Sequence, residues 1–549
     1  MRTSQLAKAD SPIHKKDISP LVLSGSLAVV LAFHFLTNFF WIQADYSFEG
    51  CDVLHHLNAQ ALFWYLGKWI QGLPVGWQDK LLLLYQVRSS HNPLWSPFIY
   101  YVACMANAVL GNGLIPVLLT STLWFLLLIV STCLLGCRLF SRREGLWAAV
   151  LVSLYPGLYG LSRKFGLDLP LSSMVTLGMY LLVRSQGFKR RGASVAFGVC
   201  LGIALAVKLQ ALIFFVGPLA LAWRRIQRQT QYYLMQSHVA AAAARTVRWR
   251  RKHLLWAVLL GGVIGFLWWH PVLLGTGKIG LDVFRFSERY FSRAWMLFKT
   301  APVYYAHSLP QSISLPLYLV GLPLAIITFF LERKRVMMLM CWFVIPLIFF
   351  ALLPIYWDRF IFPCLPAFAL LTARGITRPL RSHIIKAAVC IGVVQLFWFS
   401  CNFGWSAWQS WSHSPRDFRP QLRELVRGAT IQESLPEFNC NQVMVISHLV
   451  FWGDEQVGLE YTLAHAYWGE QVNMIRPIAV EQGPLWMSTY LDKRIRLVEA
   501  APRRQMPRFL LGFYWWQGMI HGYRERAAVS LPNFAWKLQV WERDNESGK

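Results

Sequence analysis

Charge is scarce in this chain, and negative charge scarcest. Only 15% of its 549 residues are charged, with 27 Asp and Glu against 54 Lys and Arg. A soluble domain carries about 25% charged residues. At 55% hydrophobic and 15% aromatic residues, this chain has too little polar material to clothe a water-facing surface. The ten cysteines contain no C-x-x-C pair and sit mostly inside apolar runs, which argues for small-hydrophobe packing over zinc-ribbon or dithiol chemistry. There is no P-loop, G-x-G-x-x-G, H-E-x-x-H or nucleophile elbow in a suitable context, so nucleotide hydrolysis, dinucleotide binding, zinc proteolysis and serine hydrolysis lose their usual signatures. No internal repeat is evident, whereas many transporters carry repeated halves.

What the chain has in quantity is apolar runs of spanning length. A helix needs about 20 apolar residues to cross a hydrocarbon core of about 30 Å. By that measure spans are expected near 21–42, 115–137, 145–162, 169–185, 194–207, 209–223, 254–274, 311–331, 336–354, 360–374 and 384–403, about eleven in all. The first, Leu21 to Ile42, is too long for a signal-peptide core and lacks a cleavage site, so it reads as an uncleaved span. The net charge of +27 need not mean nucleic acid, and none is expected as a partner. The cations cluster in every second gap, at Arg138 to Arg143, Lys189 to Arg191, Arg224 to His253, Arg333 to Arg335 and Arg374 to Lys386. That alternation is the positive-inside rule, and it puts the tail 1–20 and these five connections on the cytoplasmic side.

The run from Ser194 to Trp223 is interrupted only near Lys208 and Gln210. One span would leave an ammonium at mid-bilayer, which costs about 2.5–3.5 kcal/mol or more. A tight hairpin with Lys208 at its turn avoids this, and Gly198 and Gly202, spaced small-xxx-small, would let its first arm pack closely. The expected architecture is therefore an all-α polytopic membrane bundle over 21–403, with external loops at 43–113 and 275–310. In the first loop, Val53 to Ile70 and Pro93 to Leu110 read as interfacial helices. Beyond it, 404–549 shows short apolar strands between helical stretches, the pattern of a small extracytoplasmic α/β domain of roughly 145 residues.

The chemistry-bearing residues fall in the other set of gaps. Asp45 and Asp52, with His55 and His56, follow the first span. A carboxylate just above the membrane suits a general base that takes a proton from a hydroxyl. The same acids would also serve simply to solvate a loop. Asp52, His55 and His56 lie within about one helical turn, a spacing that would suit a divalent cation with His91, so the use of a metal stays open. Asp168 precedes Pro170 and a new helix, where an acid favours the dipole. Arg163, Lys164, Lys208 and Arg359 stand against the positive-inside rule. Each alone reads as a headgroup anchor. Together they suggest a funnel for a phosphate, with Arg giving a bidentate contact and Lys a point charge.

In this order the residues resemble the C superfamily of membrane glycosyltransferases, and within it the dolichyl-phosphate-mannose protein mannosyltransferase-like family that includes the lipid A aminoarabinose transferases. The similarity rests on Cys51-Asp52-Val53-Leu54-His55-His56, His91-Asn92-Pro93-Leu94-Trp95-Ser96-Pro97, Leu167-Asp168-Leu169-Pro170, the Gly-rich span from Gly198 to Lys208, and Arg359-Phe360-Ile361-Phe362-Pro363-Cys364-Leu365-Pro366. The resemblance implies sugar transfer from a polyisoprenyl-phosphate donor to a lipid, glycan or protein acceptor at the outer face of a bacterial cytoplasmic membrane, usually with inversion. It makes Asp52 the base, with Asp45 as a competitor because Val53 stands where the family often has Glu. It gives the donor phosphate to Lys208 and Arg359, and leaves Asp168 a positioning role. An alternative from another class is a transporter or flippase of an anionic lipid, which would use the same cationic funnel.

Overall fold

The computed structural model describes residues 17–44, 55, 59, 98–111, 114–234, 240–274, 301–352, 357–377, 392, 443–445, 509–513, 523–530 and 537–543. Most of these residues are helical. The helices are α1 (Pro20–Ala44), α2 (Phe98–Leu110), α3 (Leu114–Leu139), α4 (Arg142–Ser153), α5 (Pro156–Leu161), α6 (Asp168–Arg184), α7 (Arg191–Val207), α8 (Ala211–Leu234), α9 (Ala240–Leu274), α10 (Ala301–Ile313), α11 (Leu315–Ala351) and α12 (Leu365–Thr377). Two 3-10 turns, Asp358–Phe360 and Phe362–Cys364, lead into α12. Among the described residues, four helical segments are long and apolar enough to cross a membrane: Pro20–Ala44, Ile115–Leu139, Leu315–Ala351 and Asp358–Thr377.

Proline and charge explain where the apolar runs break. The stretch expected as one span over 145–162 is instead two helices, because the chain leaves helical geometry at Tyr155 (φ −68°, ψ 116°) and Pro156 starts α5. The two runs expected at 311–331 and 336–354 both lie within α11, parted by non-helical backbone at Glu332 (φ −127°, ψ 30°) beside the Arg333 to Arg335 cluster. The interfacial helix expected over 93–110 is described from Phe98 as α2. The interfacial helix expected over 53–70 and the run expected at 384–403 lie outside the described residues, apart from His55, Ala59 and Gly392.

The hairpin at Lys208 is present. α7 ends at Val207, Lys208 is extended (φ −157°, ψ 130°), and α8 starts at Ala211. Its first arm lies against α9 through glycine. A Cβ on Gly198 would sit 2.6 Å from the Ala257 carbonyl oxygen, and one on Gly202 would sit 2.5 Å from Ile264 Cβ. Gly261 and Gly265 return the favour against Leu201 and Leu205, so backbones approach here as small residues allow.

The basic connections meet at one end of the bundle. Arg335 Nε donates to the Leu139 carbonyl (2.9 Å), Arg225 to that of Lys334 (3.4 Å), and Arg250 Nε to that of Gly187 (2.7 Å). Arg374 bridges Glu144 and Glu332 at 2.7 Å each, and Thr377 Oγ1 donates to Glu144 (2.9 Å). Asp17 accepts from the backbone N–H groups of Arg142 and Arg143 at the start of α4 (3.2 and 3.3 Å). The alternation read from the sequence thus has a spatial counterpart: connections far apart in the chain share one face.

Among the described residues beyond 404 is a four-stranded sheet. Its strands are β1 (Val443–Val445), β2 (Phe509–Phe513), β3 (Tyr523–Ser530) and β4 (Lys537–Arg543), in the order β1-β2-β4-β3. β1 runs parallel to β2, and the other pairs are antiparallel.

Candidate active site

At the end of the bundle opposite the basic connections, three loops converge. Asp168 opens α6, Lys208 ends α7, and Arg359 lies in the first 3-10 turn before α12. Lys208 Nζ donates to Asp168 Oδ1 at 2.6 Å, and Arg359 Nε stands 3.7 Å from Asp168 Oδ2. The carboxylate is nearly buried at 7% side-chain exposure, while Lys208 and Arg359 retain 15% and 22%. One buried anion thus sits between two partly exposed cations. Both are also backed by aromatic rings: Lys208 Nζ lies 5.6 Å from the Phe360 ring, and the Arg359 guanidinium 4.5 Å over Trp357. Such rings favour a cation on their face, and they restrict the directions in which these side chains can swing.

The turn that carries Arg359 is tied to α10. The Tyr304 hydroxyl donates to the buried carboxylate of Asp358, and the Tyr305 hydroxyl to the Trp357 carbonyl at 3.4 Å. Burial first, and then the Asp358 hydrogen bond and charge, push the Tyr304 phenol well above its usual range. Burial does the same to Tyr305. These tyrosines lie in the segment 275–310, expected from the sequence as an external loop, and the charge pattern does not mark them. Their one sequence signal is a Tyr-Tyr pair one turn into a helix, and it carries no charge.

Arg163 is placed elsewhere. It is 5% exposed, its Nε donates to Asn38 Oδ1 (3.1 Å), and its guanidinium lies 4.2 Å over Tyr159 and 5.1 Å over Trp41. Asn38 donates in turn to Ser162 Oγ at 2.7 Å. Arg163 therefore binds the loop before Asp168 to α1. Buried polar groups of this kind need partners to be tolerated, and here α1 supplies them.

Asp45, Asp52, His56 and His91 lie outside the described residues. Their neighbour His55 is described: it is buried, shares a 2.7 Å hydrogen bond between Nδ1 and the Tyr100 hydroxyl, and meets the edge of Phe165 at 6.5 Å between ring centres. His55 is thereby tied to α2 and to the loop that delivers Asp168. Among the described residues no cluster of three or more His, Cys, Asp or Glu side chains has a metal-binding arrangement.

Residues 91–269 match the dolichyl-phosphate-mannose-protein mannosyltransferase family. The matched region of this mannosyltransferase family takes in His91, Arg163, Asp168 and Lys208, while Arg359 and the acids of the first loop lie beyond it. Over nearly the whole chain the fold is that of ArnT from Cupriavidus metallidurans. The apo crystal structure of ArnT aligns with a TM-score of 0.56 at 13% identity, covering 95% of this chain and 98% of that one. The structure of ArnT bound to undecaprenyl phosphate gives 0.55 at 16% identity over the same shares. The apo oligosaccharyltransferase of Archaeoglobus fulgidus gives 0.48 at 12% identity, over 89% of this chain and 69% of that one. Among curated protein sequences nothing matches the chain. The resemblance to the C superfamily of membrane glycosyltransferases, drawn from the five motifs, is borne out.

Proposed function

We propose that this protein is a polytopic membrane glycosyltransferase that moves a sugar from a polyisoprenyl-phosphate donor to an acceptor hydroxyl. The observation that carries this reading is the Lys208-Asp168-Arg359 cluster, two cations from distant loops sharing one buried carboxylate at the end remote from the basic connections. The undecaprenyl phosphate bound to ArnT, a protein of the same fold, supports a lipid phosphate as the anion these cations meet. A guanidinium carries five N–H donors and an ammonium three, so groups of this chemistry can bind a carboxylate and a phosphate together.

In the reaction, the acceptor oxygen attacks the anomeric carbon and Asp52 takes the proton from that hydroxyl. The bond from the anomeric carbon to the phosphate oxygen breaks, and its electron pair leaves with the polyprenyl phosphate. Negative charge grows on that phosphate as the bond breaks, and preset cations in a site screened from water stabilise it. A single displacement of this kind inverts the anomeric configuration. Asp168 keeps Lys208 and Arg359 apart and aimed at one point. Asp45 is the substitute base if Asp52 stands too far from the acceptor. About eleven spans within 21–403, both large external loops and the C-terminal domain 404–549 on the site's side, and a bacterial cytoplasmic membrane complete the proposal.

The test is turnover of a radiolabelled polyprenyl-phosphate sugar by the purified protein in detergent or liposomes. Release of polyprenyl phosphate with label on an acceptor supports transfer. Movement of the intact lipid between leaflets, without cleavage, would show the flippase instead.

A further inference from the structure

The turn bearing Arg359 brings a second carboxylate close to the site, and the structure handles it with a neutral donor. Asp358 is 7% exposed and adjacent in sequence to Arg359. An anion in that position has two ways to harm phosphate binding: it can pair with the guanidinium, or it can repel the incoming donor. Its observed partner is the Tyr304 hydroxyl on α10. The next residue, Tyr305, donates to the Trp357 carbonyl at 3.4 Å, one residue before Asp358. The indole of Trp357 in turn lies under the Arg359 guanidinium at 4.5 Å. The two tyrosine rings meet edge to face at 5.5 Å, so they act on the turn as a unit.

We propose that Tyr304 is a positioning residue: by holding the Asp358 carboxylate against α10, it keeps the Arg359 guanidinium available to the donor phosphate. Tyr305 steadies the same turn from the backbone side. A phenol suits the task because it donates a hydrogen bond without adding charge of its own. Burial and the Asp358 carboxylate keep it protonated through neutral pH and beyond. This inference rests on the glycosyltransferase reading only in taking the anion at Arg359 to be the donor phosphate.

The experiment measures binding of undecaprenyl phosphate to the full-length protein in detergent micelles for the wild type, Arg359→Ala, Tyr304→Phe, Asp358→Asn and the double variant Tyr304→Phe/Asp358→Asn. Tyr304→Phe keeps the ring and removes the donor. It is expected to weaken binding about tenfold, in line with a lost hydrogen bond to a charged group. Asp358→Asn alone is expected to bind within about threefold of wild type, and the double variant to recover to the same level, because the freed carboxylate is gone. A merely structural tyrosine would not be rescued by that second change, so an unrescued double variant overturns the proposal, as does a Tyr304→Phe protein that binds normally while Arg359→Ala does not. If Arg359→Ala also binds normally, the phosphate grip itself fails and this inference falls with it.

Discussion

Lys208→Ala separates the two jobs assigned to one ammonium. In the structure Lys208 Nζ is 2.6 Å from Asp168, with both side chains largely buried. Removing one partner of a buried pair costs about 3–5 kcal/mol because the other charge is stranded. Arg359 remains 3.7 Å from the same carboxylate, which places the expected loss at the lower end, about 3 kcal/mol. Thermal unfolding in detergent reads that part. The second job is the donor phosphate. A hydrogen bond to a charged group contributes about 1.5–3 kcal/mol, which corresponds to a loss of roughly 10- to 150-fold in phosphate affinity at about 1.4 kcal/mol per decade. Titration with undecaprenyl phosphate reads this second part, and donor KM should rise in parallel. Lys208→Arg keeps the positive charge and is expected to restore most of the stability while recovering affinity only in part, since a guanidinium fork cannot occupy the ammonium's place. A Lys208→Ala protein that loses stability but binds the phosphate with unchanged affinity would refute the reasoning: Lys208 would then serve Asp168 alone.

Three further outcomes are expected. Asp52→Asn should abolish sugar transfer while phosphate binding and the unfolding temperature stay within error; retained transfer moves the base to Asp45, for which Asp45→Asn is the matching assay. Gly202→Val forces a Cβ to within 2.5 Å of Ile264 and should cost about 1–3 kcal/mol by overpacking, seen as a lower unfolding temperature, whereas Gly262→Val on the facing helix α9, with nothing within 4 Å of its Cβ, should change little. Glu144→Gln weakens the shared pair with Arg374, so stability should drop while donor affinity is unchanged, because that network lies at the opposite end from Lys208.

Much of the architecture was legible because it is governed by composition. Apolar length located the helices, and the placement of cations separated one end of the bundle from the other before any contact was known. Lys208 was recognisable as a hairpin turn since an ammonium at mid-bilayer is costly, and Gly198 and Gly202 were recognisable as a close contact because small residues at that spacing have few other uses. Their partner on α9 was not, since two runs of small residues carry no label saying which meets which. The break at Tyr155 escaped because the apolar pattern runs through it without interruption, and only Pro156 marks it.

The candidate site was legible as charges set against the apolar pattern, and of these Asp168, Lys208 and Arg359 come together. Arg163 looked the same by that criterion, yet it is buried against Asn38 and Tyr159. Sidedness identifies a cation that needs an anion or a shelter, and it does not say which. Tyr304 and Tyr305 could not be found in this way at all: they carry no charge, and their role depends on α10 folding back onto a turn more than fifty residues downstream.

The central claim is that Lys208 and Arg359 grip the donor's phosphate beside Asp168. A structure of this protein with undecaprenyl phosphate bound tests it most directly. Phosphate oxygens are expected about 2.7–2.9 Å from both Lys208 Nζ and the Arg359 guanidinium, with the prenyl chain leading away into the lipid. A phosphate resting elsewhere, with neither cation in contact, would contradict the account.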